Sequence, residues 1–209
     1  MEDRMNVILD LDNTIIVALE EQERDLLSMR FQGQFEYHDI LSYGMRIFAR
    51  PGLQPFLDYL FANFNVSVYT AAEQEYALFI INHFLLMEGH KGHRKVHYMF
   101  WRYHVDMGMK RYNGMKDLRL LFNVFNVPNF YPCNTVIIDD LIDVYEANPD
   151  NTIPIDAFKI VSSSTNQALS KSIDDKELER VKTVLDKLNH RFKNSYNPRL
   201  IRMKYCPST

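Results

Sequence analysis

Three apolar runs in this chain end in the same kind of chemistry, and that coincidence restricts the fold more than any other feature. The stretch NVILDLDNTII, residues 6–16, carries Val7, Ile8 and Leu9 straight into Asp10 and Asp12. VSVY, residues 66–69, runs into Thr70, and TVII, residues 135–138, runs into Asp139 and Asp140. Short runs of apolar β-formers bounded by polar residues predict buried strands. The segments between them have helical spacing, as in Leu53, Phe56, Leu57, Leu60 and Phe61. Strands alternating with helices predict an α/β fold with a parallel sheet flanked by helices. In such sheets ligands bind outside the carboxyl ends of the strands. Residues two apart project to one side of an extended chain, so Asp10 and Asp12 can converge on one centre.

The remaining segments are assigned on the same signals. Residues 17–28, VALEEQERDLLS, are acidic and predict an exposed excursion. MRIFA, residues 45–49, predicts a strand stopped by Pro51-Gly52, and a helix is expected over residues 73–87. Residues 88–115 predict an insertion rich in histidine, aromatic and basic residues. A helix is expected from Lys116 through LRLLF, a fourth strand within residues 151–155, and a helix from Asp174 to Leu188. The expected organisation is one domain over residues 1–192 and a basic tail over 193–209.

Composition closes off several classes. Over 209 residues, 46% hydrophobic and 24% charged residues describe a globular chain. A net charge of −3 gives no overall attraction to nucleic acid or to a membrane. The two cysteines, Cys133 and Cys206, are too few for a disulfide framework, which points to a reducing compartment inside the cell, nucleus or cytoplasm. The longest apolar run, Leu78–Met87, is about half the length of a membrane span and reads as a core helix.

Several carboxylates in one cleft repel each other, and a divalent cation resolves that conflict. Oxygen-only donors suit Mg²⁺, commonly held by one or two carboxylates and a substrate phosphate. One acid could then attack phosphorus, and the other could protonate the leaving oxygen and activate water. Thr70 could hydrogen-bond a phosphoryl oxygen, and a lysine could offset its charge. Each residue also has a plainer reading. Asp10 and Asp12 could be turn or capping acids, Thr70 a helix cap, Lys116 a surface lysine, and Arg50 the partner of a surface acid. His90, His93, His97 and His104 could suggest zinc, but no cysteine lies near and a solvated insertion is the simpler reading. Lys91, Arg94, Lys95, Arg102, Lys110 and Arg111 make that segment attractive to an anionic substrate if it flanks the site. The tail cations Arg199, Arg202 and Lys204 read as a solvated end.

Asp10-Leu-Asp12-Asn13-Thr14 resembles the DxDx(T/V) motif of the haloacid dehalogenase superfamily of phosphotransferases. Thr70, Lys116 and Asp139-Asp140 resemble its other three motifs. Within it, the chain is similar to the small CTD phosphatase, or NLI-interacting-factor, group. Arg50-Pro51-Gly52, Tyr69-Thr70-Ala71-Ala72 with Tyr76, Asn113–Leu118 and Pro149–Ile155 carry that likeness. The resemblance implies a Rossmann-like sheet with a small insertion and no large cap domain. It implies Asp10 as nucleophile and Mg²⁺ ligand, with Asp12 as general acid/base lending its backbone carbonyl to the metal. Thr70 and Lys116 would hold the phosphoryl group, and Asp139 and Asp140 would complete the metal site. Thr14, Ala71, Tyr76 and Arg102 would face the substrate. Leu141 stands where the group has a small serine, and Val105 where it has a cysteine.

The implied activity is a Mg²⁺-dependent phosphoserine or phosphothreonine phosphatase acting through an aspartyl-phosphate. Its partner would be a phosphoprotein, the RNA polymerase II C-terminal domain among the candidates, and not a membrane. Two alternatives remain at this level: a polynucleotide 3′-phosphatase of the same fold, and a phosphatase-like binding module without catalysis.

Overall fold

The computed structural model describes residues 4–87, 92–160 and 166–194. Its first strand, β1 (Asn6–Leu9), is followed by β2 (Ile16–Glu20), α1 (Glu21–Asp25), α2 (Met29–Gln32), β3 (Tyr37–Ile40) and β4 (Met45–Ala49). Next come α3 (Leu53–Asn63), β5 (Asn65–Tyr69), α4 (Gln74–Ile80), β6 (Val96–Phe100) and α5 (Arg102–Tyr112). The chain finishes with β7 (Thr135–Asp139), α6 (Ile142–Ala147), β8 (Thr152–Pro154), α7 (Asn166–Ile173) and α8 (Glu177–Asn194).

The main sheet has the order β6-β5-β1-β7-β8, and every pairing in it is parallel. The chain builds outward from β1 through β5 to β6, then returns to the other flank of β1 with β7. That reversal opens a crevice at the carboxyl ends of β1, β5 and β7, the usual ligand position in such sheets. Both faces of β1 are buried. Val7 and Leu9 join Leu57 and Leu60 of α3 and Val181 and Leu185 of α8 in one core cluster. Ile8 faces the opposite way and joins Tyr69, Val105, Leu121 and Val144 in another. Burial on both faces is why the strand reads as an unbroken apolar run.

β2, β4 and β3 form a separate antiparallel sheet, in that order. This small layer takes up the segment expected to be an exposed excursion. Val17, Leu19 and Leu27 are buried with Phe31, Phe35, Phe48 and Phe158, while the acids of α1 face solvent. The alternation of Val17 and Leu19 with Ala18 and Glu20 is strand spacing.

The segment expected as an insertion carries regular structure where it is described: residues 96–112 supply β6, an outer strand of the main sheet, and α5. The helix expected from Lys116 is replaced by a loop, because Lys116 takes a left-handed conformation with φ 47°. Helical geometry resumes only in a short π-type turn, Leu120–Val124. The apolar stripe from Leu78 is core at Ile80, Ile81, Phe84 and Leu85, but Leu78 itself is exposed. The last helix begins at Glu177 rather than Asp174 and runs on to Asn194, burying Asn189 and Phe192. His90, Lys91 and the tail from residue 195, with Cys206, lie outside the described residues. Among the described residues, no helix is long and apolar enough to cross a membrane.

Candidate active site

β1 ends at Leu9 and delivers Asp10 to the crevice, held by its N–H donating to the Ile138 carbonyl of β7 at 3.1 Å. The chain then turns sharply. Asn13 adopts φ 58°, and its N–H donates to the Ile16 carbonyl at 2.8 Å. Asn tolerates this left-handed conformation better than most residues. The turn brings Thr14 back beneath Asp10, and the Thr14 hydroxyl lies 3.0 Å from Asp10 Oδ2 and 3.4 Å from Asp140 Oδ1.

Lys116 reaches the same cluster from the loop after α5. Its ammonium donates to Asp10 Oδ1 at 2.5 Å and to Asp139 Oδ2 at 2.6 Å, and all three residues are buried. Asp139 Oδ1 accepts from the Leu141 N–H at 2.9 Å. Burial alone would lower the Lys116 pKa, but the charges of Asp10 and Asp139 outweigh it and hold the ammonium above its ordinary value. Burial and the Asp10 charge push the Asp139 carboxyl upward, against Lys116. The same two causes raise Asp140.

The left-handed Lys116 needs support, and Asn148 gives it. The buried Asn148 side chain accepts from the Leu118 N–H at 2.8 Å and donates to the Lys116 carbonyl at 3.2 Å. Gly114 makes the loop possible, since a Cβ there would lie 2.7 Å from Asp117 Oδ2. Local pattern hides this role of Asn148. An asparagine before Pro149-Asp150 looks like turn chemistry, and its partners lie 30 residues or more away in the chain.

Asp12 stands apart from this cluster. Its Oδ1 accepts from the Tyr76 hydroxyl of α4 at 2.6 Å. Burial, reinforced by Asp10 and opposed by the Tyr76 hydrogen bond, pushes the Asp12 carboxyl up to about 6. That value suits a group that must give and take a proton near neutrality. Tyr76, expected to face substrate, has its hydroxyl on Asp12. Thr70 caps β5, its N–H bonded to the Phe100 carbonyl and its Oγ1 accepting from the Ala72 N–H, both at 3.0 Å. This short loop bond replaces a helix cap, and it leaves the hydroxyl proton available to an incoming acceptor. Ala71 is half-buried against the second core cluster.

Arg102 opens α5 just beyond β6, with its N–H on the Ala72 carbonyl at 3.0 Å. Its exposed side chain pairs with Glu73 at 3.0 Å. The structure thus brings Arg102 beside the Thr70 loop, because β6 lies next to β5. The histidines scatter: His93 pairs with Asp58 at 3.3 Å, His97 is exposed, and His104 Nδ1 accepts from the Trp101 N–H at 3.1 Å. Arg50 is buried and bonds Asp175, not an acid on an open surface.

Asp10, Asp139 and Asp140 each offer an oxygen within 4.8 Å of the other two, a set that could hold a metal ion. The donors are all carboxylate oxygens, opposed by the single Lys116 charge. That donor set fits a hard divalent cation better than zinc or copper.

A Rossmann-like parallel sheet with this cluster at its switch point defines a phosphatase of the haloacid dehalogenase type. The chain belongs to the NLI interacting factor-like phosphatase family, whose model matches residues 5–195. It is 35% identical over 189 residues to the CTD phosphatase-like protein 355R of invertebrate iridescent virus 6, covering 87% of this chain and 97% of that protein. The protein of the same name in invertebrate iridescent virus 3 is 31% identical over 166 residues, covering 73% and 83%. The solved structure of Fcp1, an essential RNA polymerase II CTD phosphatase, superposes with a TM-score of 0.62 at 20% identity. That match covers 91% of this chain and 63% of the Fcp1 chain, so this chain spans less than two thirds of it. Fission yeast Fcp1 bound to beryllium fluoride gives the same TM-score at 18% identity, covering 92% and 64%.

Proposed function

We propose that this chain is a Mg²⁺-dependent phosphatase that hydrolyses phosphoserine or phosphothreonine esters in proteins through a phosphoaspartate at Asp10. The supporting observation is the division of labour among the carboxylates. Asp10 and Asp139 are clamped by Lys116, while Asp12 is held separately by Tyr76 with its carboxyl raised to about 6. In the first step a bond forms between an Asp10 carboxylate oxygen and phosphorus as the ester P–O bond breaks. Asp12 gives its proton to the departing serine or threonine oxygen. In the second step Asp12 takes a proton from water as that water attacks phosphorus. The bond from phosphorus to Asp10 breaks, and phosphate leaves. Thr70 donates to a phosphoryl oxygen and Lys116 offsets the phosphoryl charge.

Asp10, Asp140 and the Asp12 backbone carbonyl would hold Mg²⁺, with Asp139 beside them. When bound, Mg²⁺ supplies charge neutralisation for the acids and the phosphoryl oxygens.

The names of the relatives favour a phosphoprotein substrate, with the RNA polymerase II C-terminal domain the first to try. The expected result is Mg²⁺-dependent phosphate release from a phosphoserine heptad peptide, lost by at least about 1000-fold in Asp10→Asn. Release from a 3′-phosphorylated oligonucleotide but not from the peptide would replace this substrate assignment. Full turnover by Asp10→Asn would remove the mechanism.

A further inference from the structure

Behind the catalytic loop lies a second charged constellation that the steps above do not use. Arg50, just after β4, is among the largest fully buried side chains. Its guanidinium forks onto Asp175, Nε to Oδ1 and Nη2 to Oδ2, both at 2.8 Å. The remaining nitrogen, Nη1, donates to the Thr14 backbone carbonyl at 2.9 Å. Asp175 is anchored in turn, accepting from the Glu177 N–H at the start of α8 at 3.1 Å.

The surrounding contacts converge on the same turn. The Arg50 N–H donates to the Ile15 carbonyl at 2.9 Å, and the Phe158 N–H donates to the Asn13 carbonyl at 2.6 Å. The Phe158 ring lies 5.6 Å from the Arg50 guanidinium carbon. Residues 13, 14 and 15 are therefore each gripped through their carbonyls. The turn they form carries the Thr14 hydroxyl, which lies against Asp10 and Asp140.

A purely structural ion pair would tie α8 to β4 and stop there. Here one arm of a planar, rigid fork extends to the residue that hydrogen-bonds the nucleophile. Lysine cannot make this arrangement, because it is a point charge without a fork.

We infer that the Arg50–Asp175 pair is a positioning device for catalysis, holding the Thr14 peptide so that its hydroxyl orients Asp10. The inference rests on the phosphatase reading. It is tested by a double-mutant cycle. Arg50→Lys, Asp175→Asn and Thr14→Val each lower kcat about tenfold, with KM changed by less than about twofold. In the Thr14→Val background, Arg50→Lys lowers kcat by less than about a further twofold, because its target is already gone.

A second readout does not need turnover. The rise in melting temperature caused by Mg²⁺ with beryllium fluoride shrinks in Arg50→Lys and shrinks no further in the double variant. Wild-type kcat in Arg50→Lys, or losses that multiply in the double variant, overturn the inference. If Arg50→Lys does not fold, Asp175→Asn carries the same cycle. Turnover retained by Asp10→Asn would instead defeat the mechanism through Asp10, and the melting cycle would still decide the role of the pair.

Discussion

On the β1/β7 side of the cleft, Asp10, Thr14, Lys116 and Asp139 are each no more than 3% exposed. On the β5/β6 side, Tyr103 is 61% exposed, and the Arg102 and Glu73 side chains are 54% and 70% exposed. The first side ties its charges into internal hydrogen bonds, through Lys116, Thr14 and Leu141. The second leaves its cation in an ion pair with water around it. Buried charges hold one geometry because any other leaves them unpaired. Exposed pairs contribute little and rearrange freely. On the proposed function, the rigid wall would carry the chemistry and the open one would meet the flanking parts of a substrate.

The contrast is broken most severely at Lys116. Lys116→Met leaves Asp10 and Asp139 buried without their cation, an expected loss of about 3–5 kcal/mol in a metal-free melt at pH 7.5. Burial raises Asp12 from 3.8 to about 6, and it raises Asp139 and Asp140 as well. The folded state therefore binds these protons more tightly than the unfolded chain does. The stability they confer is present at low pH and is lost as pH rises, for Asp12 as it climbs through about 6. The Lys116→Met penalty should accordingly shrink at pH 5.

The metal has the opposite pH dependence, because it binds the ionised carboxylates. If these acids hold Mg²⁺ as proposed, the ion at 100 times its dissociation constant would stabilise the fold by about 2.7 kcal/mol. The rise in melting temperature at a fixed Mg²⁺ concentration should be larger at pH 7.5 than at pH 5, where protons compete for the carboxylates. Equal rises at both pH values would place the bound ion away from these acids.

Smaller effects sharpen the boundary between the two walls. Tyr76→Phe removes the donor to Asp12, with an expected loss of about tenfold in kcat. That hydrogen bond lowers the Asp12 pKa, so the limb of the pH–rate profile belonging to Asp12 should move to higher pH. Arg102→Ala should change stability by less than about 0.5 kcal/mol, since its ion pair is exposed. It should raise KM for a peptide a few-fold while leaving kcat alone. A tenfold loss of kcat would move Arg102 into the rigid wall.

The residues at the strand ends were the legible part of the sequence. Asp10, Asp12, Thr70 and Asp139-Asp140 each follow a buried strand directly, so local pattern places them at one end of a sheet. The supports were hidden because they are long-range. Arg50 and Asp175 are 125 positions apart, and Asn148 reaches back 30 or more to the Lys116 loop. The helix expected from Lys116 failed because helical spacing in LRLLF says nothing about a left-handed residue ahead of it. β6 was missed because VHYMF is an outer strand, only partly buried, and lacks the apolar run of β1. β2 was missed because its acidic neighbours masked a period-two pattern.

The central claim is that Asp10 is the atom donor to phosphorus, and chemical trapping tests it most directly. Borohydride added during turnover with Mg²⁺ reduces an acyl phosphate to an alcohol, which peptide mass analysis then locates. The account predicts that conversion at Asp10 alone, absent without substrate or Mg²⁺. An unmodified Asp10 in an enzyme turning over, or trapping at another carboxylate, would contradict it.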